Sequence, residues 1–298
     1  MKVRIIPALI LMVLATATIS PAADQIYPFS PDEMVIGSIR THKIVGDESL
    51  IELARTFGIG YNEIVDANPG LDPFVPGEGE EITIPTAWIL PDIPSFGGLI
   101  INISEMRLYF FSKHSSSTVR TFPIGIGSEG NETPVGSFKI IKKMVNPSWN
   151  VPESIRKERP ELPRVVPPGP ENPLGTHALR LSLGSILIHG TNRPFAVGRR
   201  ASHGCIRMYP EDIPKLFQAV PKGTEVSIIQ QPVKVGLLGN RIYLEVHEDQ
   251  AMRINYFDEA VTLLRKLMKR HEIYDTIDKE KMLAVLREKS GMPVDITR

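Results

Sequence analysis

Apolar and polar positions change period several times along the chain. Residues 1–22 begin with Lys2 and Arg4 and continue as an apolar run from Ile5 to about Ala17, with small residues at Ser20 and Ala22. That order predicts an export signal cut after Ala22. The run is shorter than the ~20 residues a membrane-spanning helix needs. Residues 23–40 show no sustained period and read as a leader. Within 41–85, Leu50, Leu53, Ala54 and Phe57 recur at helical spacing. Asp47 or Ser49 is placed to cap that helix at its start and Gly58 at its end. A second short helix fits Tyr61–Asn68, and Lys43–Val45 and Glu81–Ile84 alternate as strands, so a βααβ unit is expected. Residues 86–96 are rich in proline and read as a linker.

From 97 to 230 short strand patterns dominate: Leu99–Ile103, Arg107–Ser112, Thr118–Ile126, Gly136–Lys142, Ala178–Leu181, Ser185–His189 and Glu225–Gln230. Turn residues separate them, so a mainly β domain of sandwich or barrel type is expected. Between Asn146 and Gly175 lies an irregular loop with eight prolines, whose fixed φ angles suit a stiff lid better than a floppy one. Residues 231–248 read as a hairpin turning at Leu238-Gly239-Asn240. Residues 249–298 read as a charged helical tail with Leu263, Leu264, Leu267 and Met268 on one face.

Composition narrows the function classes. Lys plus Arg and Asp plus Glu both total 34, so there is no basic excess to suggest a nucleic-acid partner. Proline, at 26 of 298, argues against a mostly helical chain. Cys205 is the only cysteine. It can form no internal disulfide and no multi-cysteine zinc site. In an exported protein such a thiol is either buried and inert or kept for its reactivity.

The surroundings of Cys205 favour reactivity. His189-Gly190-Thr191-Asn192 ends one predicted strand, and Ser202-His203-Gly204-Cys205-Ile206-Arg207 follows after a loop carrying Arg193, Arg199 and Arg200. Imidazole and nearby positive charge activate a thiol, which is the cysteine–histidine logic of nucleophilic catalysis. Gly204 permits a tight bend that can aim the N–H groups of Gly204 and Cys205 at an oxyanion. Taken residue by residue, a small core cysteine and a zinc site of His189, His203 and Cys205 remain open.

Two segments resemble known families. Ile44–Leu50, Ile64–Pro69 and Ile82–Pro85 resemble a LysM module, which implies binding to glycan strands of peptidoglycan. The His189-Gly190-Thr191 and Ser202–Arg207 blocks resemble the YkuD-type L,D-transpeptidases. So do Pro123–Gly127, Thr133–Phe138 and Asn146–Trp149, and the order of units is similar to the ErfK/YbiS subgroup. The resemblance implies a YkuD-like catalytic domain at 97–230 that needs no cofactor or metal. Cys205 would attack the diaminopimelate carbonyl of a tetrapeptide stem, releasing D-alanine and leaving a thioester. His189 would move the proton, held by the Gly190 carbonyl, while His203 and Gly204 shape the site. Arg207, Ser202, Trp149 and Thr191 would bind substrate. The acceptor would be a second diaminopimelate amine, a lysine of an outer-membrane lipoprotein, or water in a hydrolase. A non-catalytic wall-binding protein is the remaining reading. The expected location is the periplasm.

Overall fold

A computed structural model of the chain describes residues 26–30, 33–112, 117–249, 254–273 and 277–298. The expected export signal lies outside the described residues. Strands Gly98–Asn102 and Arg107–Phe111 are buried at every position. Successive side chains on a strand point to opposite faces. Leu99, Ile101, Leu108 and Phe110 therefore enter one core, while Ile100, Tyr109 and Phe111 enter another. The antiparallel register, with Leu99 opposite Phe110 and Ile100 opposite Tyr109, keeps the two sets apart.

A nine-stranded mixed sheet is built around this pair. Its order is Ile26–Pro28, Thr118–Pro123, Arg107–Phe111, Gly98–Asn102, Glu225–Ile229, Gly136–Val145, His177–Leu181, Leu187–His189 and Ile206–Arg207. Two pairings are parallel, Glu225–Ile229 with Gly98–Asn102 and Ile206–Arg207 with Leu187–His189. The first core lies on one face, closed by Ile213 and Leu216 of a helix at Ile213–Ala219. The protein is mainly β, as expected.

The second core joins the opposite face to the N-terminal unit. That unit has helices α1 (Leu50–Phe57) and α2 (Tyr61–Asp66), flanked by strands Arg40–Lys43 and Glu81–Ile84 paired antiparallel. Ser49 caps α1 in a reciprocal box with Glu52, and Gly58 ends it at φ 66°. Leu50, Ile64, Ile82 and Ile84 pack in one cluster with Ile100, Tyr109 and Phe111 of the sheet. The segments read as leader and linker take part as well, which corrects both readings. Ile26–Pro28 adds an edge strand to the sheet, and Val35–Gly37 pairs with Ala87–Ile89. Trp88 and Leu90 are fully buried. A linker exposed to water has no place for such side chains; the local prolines signalled a chain turn, not freedom from packing.

Buried ions tie the parts together. The Arg107 guanidinium is wholly buried and pairs with both Glu63 oxygens of α2, at 2.8 and 2.7 Å, while the Trp88 ring lies 3.9 Å from its Cζ. Trp88 Nε1 and the Gly60 N–H also donate to Glu63, so its lone pairs are filled. A second cluster holds the C-terminal unit. Lys234 Nζ lies 2.6 Å from Glu105 and 2.6 Å from Glu245 and donates to the Ile89 carbonyl. His247 lies 2.6 Å from Glu245. Glu105, Glu245 and His247 group closely enough to hold a metal ion, but the Lys234 ammonium already serves as their counter-cation. The C-terminal hairpin, Val233–Leu238 with Arg241–Val246, forms a third core with helices Tyr256–His271 and Lys279–Glu288. Strand Val294–Asp295 closes that sheet. Hairpin and tail, read separately in the sequence, are one packed unit.

Removing one partner of a buried pair strands a charge, whereas removing both does not. Arg107→Met is therefore expected to cost about 3–5 kcal/mol. The double variant Glu63→Met/Arg107→Met should recover a large part of that loss. Urea unfolding of the three proteins measures both, and equal destabilisation of single and double variants would refute the coupling.

Candidate active site

Two strand ends carry the candidate residues. In the parallel pair Leu187–His189 and Ile206–Arg207, Ile188 stands opposite Ile206 and His189 opposite Arg207. The Met208 N–H donates to the His189 carbonyl at 2.9 Å, which extends the ladder. Ile188 and Ile206 enter the first core, so alternation sends His189 and Arg207 to the other face. Cys205 lies just ahead of the Ile206–Arg207 strand, two residues before Arg207.

The turn before Cys205 is made by Gly204 at φ 91°, a conformation that disfavours other residues. Its carbonyl accepts from Thr133 Oγ1 at 3.1 Å, and the same hydroxyl accepts from the Gly127 N–H at 2.9 Å. Ser202 Oγ donates to the Cys205 carbonyl at 2.5 Å. The thiol itself points towards the Ser185 carbonyl, 3.8 Å away. Burial pushes its pKa up; the Leu187 N–H, Arg207 and Arg180 oppose that shift. At neutral pH the resting group is a thiol.

His189 is almost fully buried, with Nδ1 2.5 Å from the Gly190 carbonyl. Burial first, then the Arg207 charge, pushes its pKa down to about 4, against the Gly190 and Pro173 carbonyls, which favour the protonated form. The ring is neutral at pH 7. Gly190 is tightly packed: a Cβ there would meet Ile213 Cγ2 at 3.0 Å, and that side chain would have to give way.

The remaining candidates fall into two groups. Trp149, Thr191, His203 and Arg207 line a cavity of about 410 Å³, together with Ile155, Pro173 and Arg193. Arg207 is lowered in pKa by burial and by Arg193, so two cations converge there. Ser202 and Thr191 are buried, and their hydroxyls bond the backbone, Thr191 accepting from the Arg193 N–H at 2.9 Å. They shape the loop. His203 Nε2 lies 3.2 Å from Glu158. Among the described residues, His189, His203 and Cys205 do not gather as a ligand set.

The segment from Asn146 to Gly175 is folded, not irregular. Trp149–Asn150 pairs with Val165–Val166, and a short helix runs over Glu153–Glu158. Buried Asn172 donates to the carbonyls of Pro147 and Pro167 at 2.8 and 3.0 Å. Prolines supply no N–H, so a side-chain amide does the stitching. Sequence reasoning overlooked this residue, along with Arg180 and the Pro173 carbonyl, because all three act across distances that spacing does not reveal.

Residues 97–228 match the YkuD model, described as an L,D-transpeptidase catalytic domain. The chain is 38% identical over 296 residues to the probable L,D-transpeptidase YcfS of Escherichia coli K12, covering 95% of this chain and 92% of that protein. It is also 38% identical over 287 residues to the probable L,D-transpeptidase ErfK/SrfK of the same strain, covering 91% and 90%. The putative L,D-transpeptidase YkuD of Bacillus subtilis is 30% identical, with 63% of this chain covering 98% of that protein. The chain belongs to the YkuD family of L,D-transpeptidases.

Proposed function

We propose that Cys205 and His189 carry out acyl transfer on peptidoglycan stems. What supports this reading is the parallel pairing of Leu187–His189 with Ile206–Arg207, which brings the strand carrying a buried neutral imidazole next to the strand that follows the only thiol of the chain. With Nδ1–H given to the Gly190 carbonyl, Nε2 keeps its lone pair and accepts the Cys205 proton. Sγ bonds to the diaminopimelate carbonyl carbon, and the bond to the D-alanine nitrogen breaks. His189 returns the proton to that nitrogen, and D-alanine leaves. An amine then attacks the thioester, gives its proton to His189, and the thiol re-forms. The thioester retains the free energy of the broken amide, so no nucleotide is required.

Arg207 and Trp149 line the cavity next to this pair, and Arg207, with Arg193 beside it, suits a substrate carboxylate. The likeness of residues 41–85 to a LysM module supports glycan binding by the N-terminal unit. The apolar N-terminal run supports export to the periplasm, and the kinship with E. coli L,D-transpeptidases supports action on the cell wall. An amine of a second diaminopimelate, giving a 3→3 crosslink, and the lysine of an outer-membrane lipoprotein fit the same chemistry.

Cys205→Ala should abolish D-alanine release from disaccharide tetrapeptides while leaving the fold intact. Mass spectrometry of the products also separates acceptors: crosslinked dimer marks a transferase, and free tripeptide alone marks a hydrolase. The pH profile of kcat tests the base. Because the folded His189 titrates at about 4, below the usual 6.5, its proton-accepting form persists down to that pH. The acid limb is therefore expected near 4, and Arg207→Gln should move it upward by removing a repelling cation. An acid limb at 6.5 in the wild-type enzyme would contradict the assignment.

A further inference from the structure

The loop at residues 190–204, which joins His189 to Cys205, is held from two sides. On one side it pairs with the strand beyond Pro123. Gly198 N–H donates to Ile124, Ile126 N–H to Arg199 and Ser128 N–H to Ser202, at 3.0, 3.0 and 2.8 Å. On the other side stands the N-terminal unit. The first N–H groups of α2, those of Tyr61 and Asn62, donate to the carbonyls of Val197 and Gly198 at 3.3 and 3.2 Å. Donors that a helix start normally gives to water or a cap are here given to the catalytic loop.

The contact is close and specific. Gly198 has φ 77°, and a Cβ there would lie 2.1 Å from the Tyr61 nitrogen; one on Gly60 would lie 2.9 Å from Gly198 Cα. Two backbones touch where only glycine fits. The Arg199 guanidinium lies over the Tyr61 ring, 3.5 Å from its centre, and its buried Nε has no hydrogen-bond partner. The ring is its main support. Nearby, Arg55 pairs with Glu211 at 2.7 and 2.8 Å, and Tyr209 OH donates to the Ile59 carbonyl at 3.1 Å. A module that served only to tether the enzyme to glycan would need none of these contacts at the loop carrying the nucleophile.

We propose that the N-terminal unit is a positioning element of the catalytic apparatus: Tyr61 and the Gly60–Gly198 contact hold loop 190–204 in the conformation that sets Cys205 against His189. The inference rests on the reading of those two residues as the reacting pair. Tyr61 touches no reacting atom and acts through Arg199 and the loop backbone.

The test uses the full chain and a soluble tetrapeptide stem without glycan, so that sugar binding cannot contribute. Tyr61→Ala is expected to lower kcat roughly three- to thirtyfold, the range a lost cation–π contact allows, with KM unchanged. The alkylation rate of Cys205 by iodoacetamide should fall in step. Tyr61→Phe keeps the ring and should restore both rates. Arg199→Lys removes the flat stacking group from the other side and should reproduce the Tyr61→Ala effect, which covers the case in which the alanine variant does not fold. A folded Tyr61→Ala or Arg199→Lys protein with wild-type kcat and wild-type alkylation would overturn the proposal. If the wild-type protein itself releases no D-alanine from the soluble stem, the failure lies in the catalytic reading on which the proposal stands.

Discussion

A pair of strands that is apolar on both faces cannot leave either face in water, and much of this architecture follows from that constraint. Gly98–Asn102 and Arg107–Phe111 need two cores. One is supplied by the rest of the sheet and the helix at Ile213–Ala219, the other by the N-terminal unit. Covering the second face brings α2 down onto the sheet. Glu63 then meets Arg107, and the N-terminus of α2 meets the loop between His189 and Cys205. Packing and chemistry share one cause.

The two buried ion clusters have a different weight from the apolar cores. Desolvating Arg107, Glu63, Lys234, Glu105 and Glu245 is costly, and their pairing does little more than offset that cost. Their effect is on placement. An apolar interface tolerates sliding, but a guanidinium held at two carboxylate oxygens and covered by an indole accepts one arrangement. The Lys234 cluster does the same for the C-terminal unit, joining strand Val233–Leu238 to the Glu105 turn of the catalytic sheet.

The site combines a thiol whose pKa burial raises with an imidazole whose pKa burial lowers. Both shifts favour the uncharged forms, and the Arg207 charge acts on both groups. In the proposed proton transfer, charge develops as a thiolate forms in the field of Arg207, which favours the reacting state over the resting one.

The chemistry was legible in the sequence. The single cysteine, the His189-Gly190-Thr191 block and the Ser202–Arg207 block identified the family, because thiol catalysis requires those residue types and a turn at Gly204 that only glycine adopts easily. Strands and the capped helix α1 were legible too, since period and caps are local properties. The course of residues 86–90, the joining of hairpin and tail, and the fold of residues 146–175 were not. Trp88 looks like a linker residue until Arg107 arrives beneath it, and Asn172 looks like a loop residue until proline carbonyls need a donor. The sequence alone determined the family and offered one candidate thiol. The tertiary structure decided how the candidate residues are held, because burial, ion pairing and the contact of Gly60 with Gly198 arise between segments far apart in the chain.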